Sequence, residues 1–549
     1  MNQRTYSDRD TVDFVVIGSG AAGGVVAKEL STAGFDVVVL EQGPWQQPAQ
    51  FTHDELVIER EQAMLNTVFE PLQNFRTSDA EPWRPNPGRK LLYRRGVGGS
   101  SVEFTANYWR FRPIDFIERS MLGPIEGTGF ADWPLTYQEL EPYYTKVDWE
   151  IGVSGAPGPF DPPRSRPYPV PPLPNKSGGA LLERGARALG LHAQVAPMAI
   201  LSRPYDGRPN CMACGHCYMY GCEFSAKSSS LVTVIPKAIA TGRCEVRAQS
   251  TVFRVEMSAR GRATGVAYWD KDGRERRQPA RAVVISANGA ETTRLLLMSA
   301  SPAFPHGLAN SSGMVGKHIM FNGGTNTAGR FEHPLNEYKG HVVSRIIHDF
   351  YDSDPKRGFY GGGGIDARFF DRPIRFAIDQ LPEDTPTWGK EYKRALRDFY
   401  THSVRFSSHI TSLPLPANAV SLDPGNPDRF GRPGLRLTYM DHPDDMKAKQ
   451  WFRDRTQELM EAAGAAHVWN QPILPLDGGV HLLGTARMGN DPRDSVVDPY
   501  HRAHDVPNLF ICDGSSFVTS GRGQPTMTIQ ALAFRAAEHI ARFARSNGI

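Results

Sequence analysis

Four of the six cysteines of this 549-residue chain lie in one short run, spaced C-x2-C-x2-C-x4-C, between Asn210 and Cys222. Thiols this close together can bind a zinc ion or an iron–sulfur cluster, form disulfides, or simply pack in a loop. Structural zinc sites usually use two C-x2-C pairs separated by a longer stretch, whereas the pairs here overlap. So few cysteines in so long a chain do not form a disulfide scaffold, and compact cysteine runs are typical of iron–sulfur ligation. The spacing alone leaves zinc, a cluster and a packed loop open.

A second pattern that could do chemistry is G-x-G-x-x-G, formed by Gly18, Gly20 and Gly23 after the apolar run Val12–Ile17. The first glycine allows a tight turn, the second allows close approach of a pyrophosphate, and the third lets a helix pack on the strand. The helix N-terminus then holds the phosphates, and Glu41, about twenty residues further on, can accept hydrogen bonds from both ribose hydroxyls. A dinucleotide site is therefore favoured over a glycine turn without a ligand, although the motif does not separate FAD from NAD.

Near the C-terminus, His481 precedes a Gly-Thr turn, and Asp513 and Gly514 end a short apolar strand. A neutral imidazole is a base at about pH 7 and can take the proton from a substrate hydroxyl. Pro525 stands at the predicted first position of the last helix, whose N-terminus favours negative charge. The alternative for a lone histidine is a structural hydrogen bond within a turn.

These residues need elements that bring them together, and the chain starts with a predicted strand, helix and second strand (36–40), a complete βαβ unit. Further strands are predicted at 246–255, 263–269 and 282–287. Between about residues 309 and 469, polar and apolar residues alternate as in half-exposed antiparallel strands, with a helix predicted over 444–463. The proline-rich stretch 158–174 can be neither helix nor central strand and is interpreted as an extended connector. The pattern suggests two interleaved domains.

Composition excludes several classes of protein. The chain has 62 basic and 59 acidic residues and a formal net charge of +3, which gives no case for nucleic-acid binding. It contains no apolar run of about 18 residues, so no transmembrane segment of its own is predicted. The first residues, MNQRTYSDRDTVDF, are polar and lack the apolar region of a secretory signal. A cytoplasmic location is therefore expected.

Together, these motifs resemble the glucose–methanol–choline (GMC) family of flavin oxidoreductases. The likeness covers nearly the whole chain: GSGAAGG with Glu41 at the front, GVGGSS near residue 100, SANGAETTRLLLMS near residue 290, and HLLGTARMG with DGSSFVTSGRGQPTMTIQAL at the end. The resemblance implies FAD as the cofactor. It also implies an α/β fold (α+β overall), in which a Rossmann-like FAD-binding domain is interleaved with a substrate domain built on an antiparallel sheet.

This resemblance also suggests how the chain is divided. The FAD-binding domain is predicted to be discontinuous, over residues 1–50, 86–112, 205–307 and 470–549. The substrate-binding domain, with the proline-rich connector, is predicted over residues 113–204 and 308–469. Residues 51–85 are predicted to form a helical excursion.

The family resemblance implies roles for individual residues. In the family, the histidine corresponding to His481 takes the proton of a substrate hydroxyl while a hydride leaves the carbon for the flavin. A second His or Asn normally faces it; the matching position here is Gln524, whose amide can orient a substrate oxygen but cannot act as a base. Some members bind FAD covalently through a histidine, but the matching segment GGSSVEFTAN contains Glu103 and no histidine, so a non-covalent flavin is expected. The implied FAD contacts are Gly18, Gly20, Ala22, Gly23, Glu41, Gly98, Gly99, Ser100, Val252, Asp513, Gly514 and Thr526.

The cysteine run resembles one subgroup of the family. With RPYDGRPNCMACGHC after the proline-rich connector, the arrangement is similar to the catalytic subunits of bacterial glucose and fructose dehydrogenases, which carry a three-iron cluster. Residue by residue, this implies Cys211, Cys217 and Cys222 as ligands of a 3Fe-4S or 4Fe-4S cluster, with Cys214 as an extra cysteine. The last spacing is one residue longer than in that subgroup. Some alcohol and sterol oxidases of the family have similar segments, so a structural loop without a cluster is the alternative.

The expected activity is FAD-dependent oxidation of a hydroxyl group of a sugar, glycoside or related alcohol, with a small subunit or a cytochrome as electron acceptor. The alternatives are an oxidase that makes hydrogen peroxide and a non-catalytic flavin or electron-carrier subunit, against which the intact HLLGT turn argues. Trp388, Tyr392 and Tyr400 agree with a carbohydrate substrate but could equally be core residues. Because such sugar dehydrogenases often work outside the cytoplasm, periplasmic co-export with a signal-bearing subunit is the alternative location.

Overall fold

The computed structural model describes residues 4–61, 73–85, 90–369, 371–546 and 548–549. Its strands are β1 Val12–Ile17, β2 Val37–Leu40, β3 Asn74–Arg76, β4 Ala193–Val195, β5 Cys244–Arg247, β6 Thr251–Met257, β7 Ala263–Trp269, β8 Glu275–Ile285, β9 Asn326–Arg330, β10 Val343–Ile347, β11 Gly363–Arg368, β12 Ser403–Ile410, β13 Ala419–Pro427, β14 Pro433–Thr438, β15 His467–Asn470 and β16 Leu509–Ile511. Its α-helices are α1 Ala21–Thr32, α2 Glu55–Glu61, α3 Glu118–Leu122, α4 Tyr137–Ile151, α5 Ser177–Ala188, α6 Val234–Ala240, α7 Asn288–Met298, α8 Pro373–Asp379, α9 Gly389–His402, α10 Pro443–Ala462 and α11 Thr526–Arg545.

One large sheet has the strand order β5-β2-β1-β8-β7-β6, with β16 pairing on β8. It is called the parallel sheet below, after its parallel strands β5, β2, β1, β8 and β16; β7 and β6 extend it in antiparallel pairing. Nearly every residue of β1 is buried, as expected of a strand that is covered on both faces. β1 lies parallel to β2 and to β8, and Ile17 is level with both Leu40 and Ile285. The carboxyl ends of these three strands therefore meet at one edge, where a sheet of this kind opens its binding crevice.

The turn between β1 and α1 requires glycine. Gly18 has a φ of +92°, and a Cβ there would lie 2.4 Å from the carbonyl oxygen of Ser286. A Cβ at Gly23 would lie 2.0 Å from the carbonyl oxygen of Gly18, so α1 packs against the turn only without a side chain there. α1 also packs on α11, which Pro525 precedes as its N-terminal capping residue and not as its first helical residue.

The second large sheet, called the antiparallel sheet below, has the order β15-β9-β12-β11-β10-β4, and α5 and α10 pack on it. The expectation of half-exposed strands is wrong for β12, because all residues of Ser403–Ile410 are buried. The predicted alternation is present: Phe406 belongs to an apolar core with residues of α5 and α10. The polar residues that alternate with the apolar ones along β12 contact protein instead of water; Arg405, for example, pairs with Asp371.

A third, three-stranded sheet consists of β13, β14 and β3. β3 and α2 both belong to the stretch 51–85 that was predicted as a helical excursion, and residues 62–72 of that stretch lie outside the described residues. α10, over Pro443–Ala462, is the helix predicted over 444–463.

The chain passes repeatedly between the two large sheets, since β4 and β9–β12 of the antiparallel sheet alternate along the sequence with β5–β8 and β16 of the parallel sheet. The predicted fold class, a Rossmann-like unit interleaved with a domain on an antiparallel sheet, is confirmed. The exact residue boundaries of the two domains stay a prediction. Among the helices that the structure describes, none combines the length and the apolar character needed to cross a bilayer.

Candidate active site

A cavity of about 430 Å³ opens at the edge of the parallel sheet where β1, β2 and β8 end. Ile17, Leu40 and Ser286 line it from this sheet, and Arg368 at the end of β11 lines it from the antiparallel sheet. The cavity therefore lies where the two large sheets meet, which is the expected position for a ligand in a fold of this type.

Most of the residues selected from the sequence line this one cavity. Gly23 and Gly98 lie behind the lining as parts of its turns, and the four clustered cysteines are not in the lining. Tyr218 and Met219, from the same loop as the cysteines, do line it. The selected residues in the lining are Gly18, Gly20, Ala22, Glu41, Gly99, Ser100, Val252, His481, Asp513, Gly514, Gln524 and Thr526.

Two glycine turns form one wall of the cavity. A Cβ at Gly99 would lie 2.8 Å from the Cα of Gly20, so the two backbones approach each other as only glycine permits. The N–H of Gly98, whose φ is +93°, donates to Ser19 Oγ at 3.1 Å and fixes this approach. α1 starts at Ala21 beside it, so the unpaired N–H groups of its first turn open on the cavity. This cradle of bare backbone suits the pyrophosphate of a dinucleotide.

Two of the acids that line the cavity, Glu41 and Asp513, are held mainly by backbone groups. Glu41 accepts from the N–H and the hydroxyl of Ser19, at 3.1 and 2.7 Å, and from the N–H of Gly43 at 3.0 Å. Asp513 accepts from the N–H groups of Asn288 and Ser515, each within 3 Å. Burial raises the pKa of both carboxyl groups, against the effect of these hydrogen bonds. These three bonds take up most of the acceptor positions of Glu41, and the remaining one on Oε1 can take a ribose hydroxyl.

His481 lies opposite Asn322 in a short antiparallel pairing. The backbones of Met320 and Leu483 bond each other in both directions, which places residues 322 and 481 across from one another. His481 Nδ1 lies 3.1 Å from Asn322 Oδ1. The amide nitrogen of Asn322 donates to the backbone carbonyls of Ile410, Ser520 and Gly521, so its oxygen can only be the acceptor. The proton of neutral His481 is therefore on Nδ1, and Nε2 is left as a basic lone pair.

The surroundings of His481 keep its ring neutral. Burial, with the guanidinium of Arg368 nearby, lowers the pKa of His481 to about 4. Arg368 itself is paired with Asp366, which accepts from Arg368 Nε at 2.5 Å. His481 is thus a base over the neutral pH range, without needing to lose a proton first.

Asn322, Arg368 and Asn107 are site residues that the sequence analysis missed. Asn107 lines the cavity, is 2% exposed, and neither atom of its amide has a hydrogen-bond partner among the described residues. A buried amide of this kind is expected to meet a polar group of a ligand. Asn107 ends the segment GGSSVEFTAN, so its position close behind a glycine turn was a usable signal. No local pattern marks Asn322 or Arg368, which reach the site through pairing of distant strands.

Glu103, in the segment that corresponds to the covalent flavin linkage of other members, is buried in the cavity wall and pairs with Arg94. Burial raises the pKa of Glu103 to about 8, against the opposing charge of Arg94. The aromatic residues suggested for substrate binding are elsewhere: Trp388 is 83% exposed, and neither Tyr392 nor Tyr400 lines the cavity.

The cysteine loop forms part of the wall behind the cavity. Lys227, itself 2% exposed, donates from Nζ to the carbonyls of Phe104, Cys217 and Tyr220, which ties the loop to the segment after the second glycine turn. Burial raises the pKa of the Cys217 thiol to about 12, although the Lys227 ammonium opposes this and the neighbouring thiols add to it. No disulfide joins any of the six cysteines, all of which lie within the described residues.

Comparisons with known proteins agree with this geometry. Two models described as GMC oxidoreductase match residues 131–320 and 414–533. The chain is 36% identical over 541 residues to a 2-methyl-1,2-propanediol dehydrogenase from Mycolicibacterium austroafricanum, which covers 97% of this chain and 96% of that protein. It is also 30% identical over 550 residues to the fructose dehydrogenase large subunit from Gluconobacter japonicus, and this match covers 96% of this chain and 98% of that protein.

Among solved structures, a formate oxidase from Aspergillus oryzae superposes with a TM-score of 0.68 at 16% sequence identity, over 99% of this chain and 100% of the other. At this identity, the likeness shows the shared fold alone. The dinucleotide cradle, the sequence matches over nearly the full chain and the common fold lead to one assignment. The chain belongs to the GMC oxidoreductase family, and it is an FAD-dependent oxidoreductase of the class that acts on CH–OH donors.

Proposed function

We propose that this enzyme oxidises a hydroxyl group of a sugar, glycoside or related alcohol, with His481 as the base. The observation that carries the proposal is the hydrogen bond from His481 Nδ1 to Asn322 Oδ1 at 3.1 Å, which leaves Nε2 free to accept a proton at the cavity. In the reaction, the substrate O–H bond breaks as Nε2 takes the proton, and the carbon becomes a carbonyl carbon. FAD bound in the cavity supplies the acceptor for the hydride that leaves this carbon.

The residues that would hold FAD are those of the glycine cradle, together with Glu41 and Asp513. Gly20 and Gly99 leave room for the pyrophosphate beside the start of α1, and Glu41 has an acceptor position left for a ribose hydroxyl. The segment that carries the covalent histidine in some members contains Glu103 and no histidine here, so we expect the flavin to be held without a covalent bond. Precipitation of the protein with acid should then release all of its flavin; yellow pellets would contradict this.

A polar substrate suits this cavity. Gln524, Asn107 and Arg368 line the same cavity as His481, and their amide and guanidinium groups can bind several hydroxyls of one molecule. The similar proteins are named for a vicinal diol and a ketose, both of which carry adjacent hydroxyl groups. We therefore expect a polyhydroxylated substrate in preference to a long apolar alcohol.

Anaerobic flavin reduction tests the assignment. The enzyme is mixed with 2-methyl-1,2-propanediol, fructose, glucose or gluconate, and bleaching of the flavin is followed. His481→Ala should lower the reduction rate by about 10²–10⁴-fold with flavin still bound; His306→Ala, at an exposed histidine, is the matched control. Reduction at the original rate in His481→Ala would overturn the role of the base. Air admitted after reduction tests the oxidase alternative, since fast reoxidation with hydrogen peroxide formation would favour it.

For the electron acceptor, we propose an iron–sulfur cluster held by Cys211, Cys217 and Cys222. Two features support it. Tyr218 and Met219 join the loop to the cavity, while Met212, next to Cys211, is 60% exposed, so the loop spans from cavity to surface. The Lys227 ammonium beside Cys217 offsets part of the negative charge that cluster thiolates bring. Among the described residues, the thiols of Cys211, Cys217 and Cys222 do not lie close enough together to bind one common ion. In a cluster, each cysteine can bind a different iron, so the three sulfur atoms do not have to meet at one point.

Iron and sulfide analysis with the visible spectrum tests the cluster. About three or four irons per chain, with broad absorbance beyond the flavin bands, would support the cluster. A spectrum that contains flavin bands alone would exclude the cluster. Cys217→Ser should lose the iron and keep the flavin. The relative named a large subunit suggests a small subunit or cytochrome as the next acceptor, and co-expression with candidate subunits should yield a stable complex.

A further inference from the structure

A second group of possible metal ligands lies beside the cysteine loop. A ring nitrogen of His53, the thiol of Cys214 and a ring nitrogen of His216 all lie within 4.8 Å of one another. His53 belongs to the surface segment before α2, whereas Cys214 and His216 belong to the cysteine loop, far away in sequence. All three side chains are half-buried, so a small ion in solution can reach them.

The ligand types define the chemistry of an ion that would bind there. One thiolate and two imidazoles form the kind of donor set that Zn²⁺ prefers. Cys214 is the cysteine left over by the proposed iron–sulfur ligation, so the two sites do not compete for a residue. Glu223 offers a carboxylate oxygen 3.8 Å from His53 Nε2, close enough to become a fourth ligand. We propose that His53, Cys214 and His216 bind one zinc-type divalent ion, which ties the surface segment before α2 to the cysteine loop.

One ring is already oriented as a metal ligand would be. His216 Nδ1 lies 3.2 Å from the backbone carbonyl oxygen of Cys214 and donates to it, which directs the lone pair to Nε2. Metal-binding histidines commonly use their other nitrogen in this way. The aromatic edge of Tyr220 packs on the same ring, with centroids 5.0 Å apart, and holds its plane.

Binding requires a small movement of the other ring. The imidazoles of His53 and His216 are stacked with centroids 4.2 Å apart and planes within 4°, so their lone pairs lie in two parallel planes and do not converge on one point. A tetrahedral zinc site has its ligand atoms roughly 3.3–3.6 Å apart and converging. Rotation of the His53 ring would bring the lone pairs together, and its side chain, 27% exposed, has the freedom to turn.

The consequence is a cross-link behind the active site. Ile58 of α2, Tyr220 and Met219 form a small apolar cluster next to these ligands, and Met219 lines the cavity. An ion at this point would hold the cavity wall in place from outside, at a distance from the reacting atoms. Its loss should loosen the loop without removing the catalytic base.

The test measures zinc, iron and flavin separately on the purified full-length enzyme. Zinc per chain is determined after gel filtration, and the zinc affinity of chelator-treated protein is measured by competition with a chromophoric chelator. His53→Ala, Cys214→Ser and His216→Ala should each weaken zinc binding at least tenfold and leave iron and flavin unchanged. His192→Ala, at an exposed histidine that also pairs with a carboxylate, is the matched control and should bind zinc normally.

X-ray absorption at the zinc edge gives a readout that does not depend on variants. One sulfur and three nitrogen or oxygen ligands are expected around the ion. No tightly bound zinc, zinc binding unaffected by the three variants, or a zinc shell without sulfur would each overturn the proposal. Loss of iron in Cys214→Ser would also overturn it, because Cys214 would then be a cluster ligand. These outcomes are separate from those for the alcohol oxidation, which are read from the flavin.

Discussion

Asn322 Oδ1 accepts the Nδ1 proton of His481 across a short antiparallel pairing, at 3.1 Å between the two atoms. The amide nitrogen of Asn322 is committed to backbone carbonyls, so the side chain cannot reverse its orientation without losing those bonds. One buried amide thus decides which nitrogen of the histidine is the base. Asn322 is not part of the cavity lining, so we assign it as a positioning residue.

The first prediction concerns this amide. Asn322→Leu removes the acceptor, so the ring can turn or change tautomer, and flavin reduction should slow by about 10- to 100-fold, as for other partners that orient a functional histidine. Asn322→Asp keeps an acceptor for Nδ1 and adds a negative charge, so it should raise the pKa of His481 and move the acidic limb of the rate profile upward. Stopped-flow reduction under anaerobic conditions measures both. A wild-type rate and profile in Asn322→Leu, with flavin bound, would refute the positioning role.

The second prediction is the pH dependence of flavin reduction. Burial and Arg368 disfavour the charged ring and lower the pKa of His481 to about 4, so the base form persists through neutral pH. The rate should be flat on the acidic side of neutrality and fall only as the pH drops through about 4, because protonation of Nε2 then removes the base. Circular dichroism at each pH controls for unfolding. A fall in the rate centred near the ordinary histidine pKa, about 6.5, would contradict a desolvated ring at His481.

The third prediction distinguishes two effects of replacing a glycine: backbone strain at a positive φ, and loss of the space that the cofactor needs. Gly99 has a φ of +54°, and an added Cβ would lie 2.8 Å from the Cα of Gly20 in the cradle. Gly99→Ala should therefore lose FAD. Gly190→Ala is the matched control, because Gly190 also has a positive φ, +70°, but nothing within 4 Å of the added Cβ. The control should lose about 1 kcal/mol of stability from strain and keep its flavin. The flavin content of each variant is measured after gel filtration. Equal flavin retention in both variants would argue against the proposed pyrophosphate cradle.

The fourth prediction concerns a buried cation near Gln524. The guanidinium of Arg522, 1% exposed, bonds the carboxylates of Asp115 and Glu118. Arg522→Met would leave these two acids buried without their cation, so the free energy of unfolding should fall by about 3–5 kcal/mol. Urea unfolding measures this loss.

Two further variants make that result specific. Combining Arg522→Met with Asp115→Asn and Glu118→Gln should recover part of the stability, because no charge is then left unpaired. Arg493→Ala removes a surface ion pair with Asp491 and should leave the unfolding transition unchanged. Equal losses for the buried and the surface arginine would refute the role assigned to Arg522.

Much of the site follows from short stretches of sequence. Gly18, Gly20 and Gly23 predict the turn and the cradle because the constraints act between neighbours: a positive φ, a bare backbone and a helix start. Glu41 follows from the end of the second strand in the same unit. His481 was found through the resemblance of its surroundings to a family, and its position in the cavity agrees with that choice.

Other features depend on distant pairing and could not be predicted. β12 alternates as a half-exposed strand does, yet it is buried, because the face that carries its polar residues is covered by protein. Whether a polar face meets water or another domain is not encoded in the strand itself. The same holds for the cysteine loop, whose spacing left metal binding and a packed loop open and did not indicate that Tyr218 and Met219 line the cavity.

By itself, the sequence determined the local units of this protein: the βαβ start, the glycine turns, the cysteine run and a histidine in a recognisable setting. Such units depend on residues a few positions apart, whose geometry is fixed by the covalent chain. The tertiary structure alone decided that Asn322, 159 residues from His481 in sequence, sets its tautomer, and that Arg368 and Asn107 share its cavity. Contacts of this kind arise from strand register and from the meeting of two sheets, and no short stretch of residues specifies either.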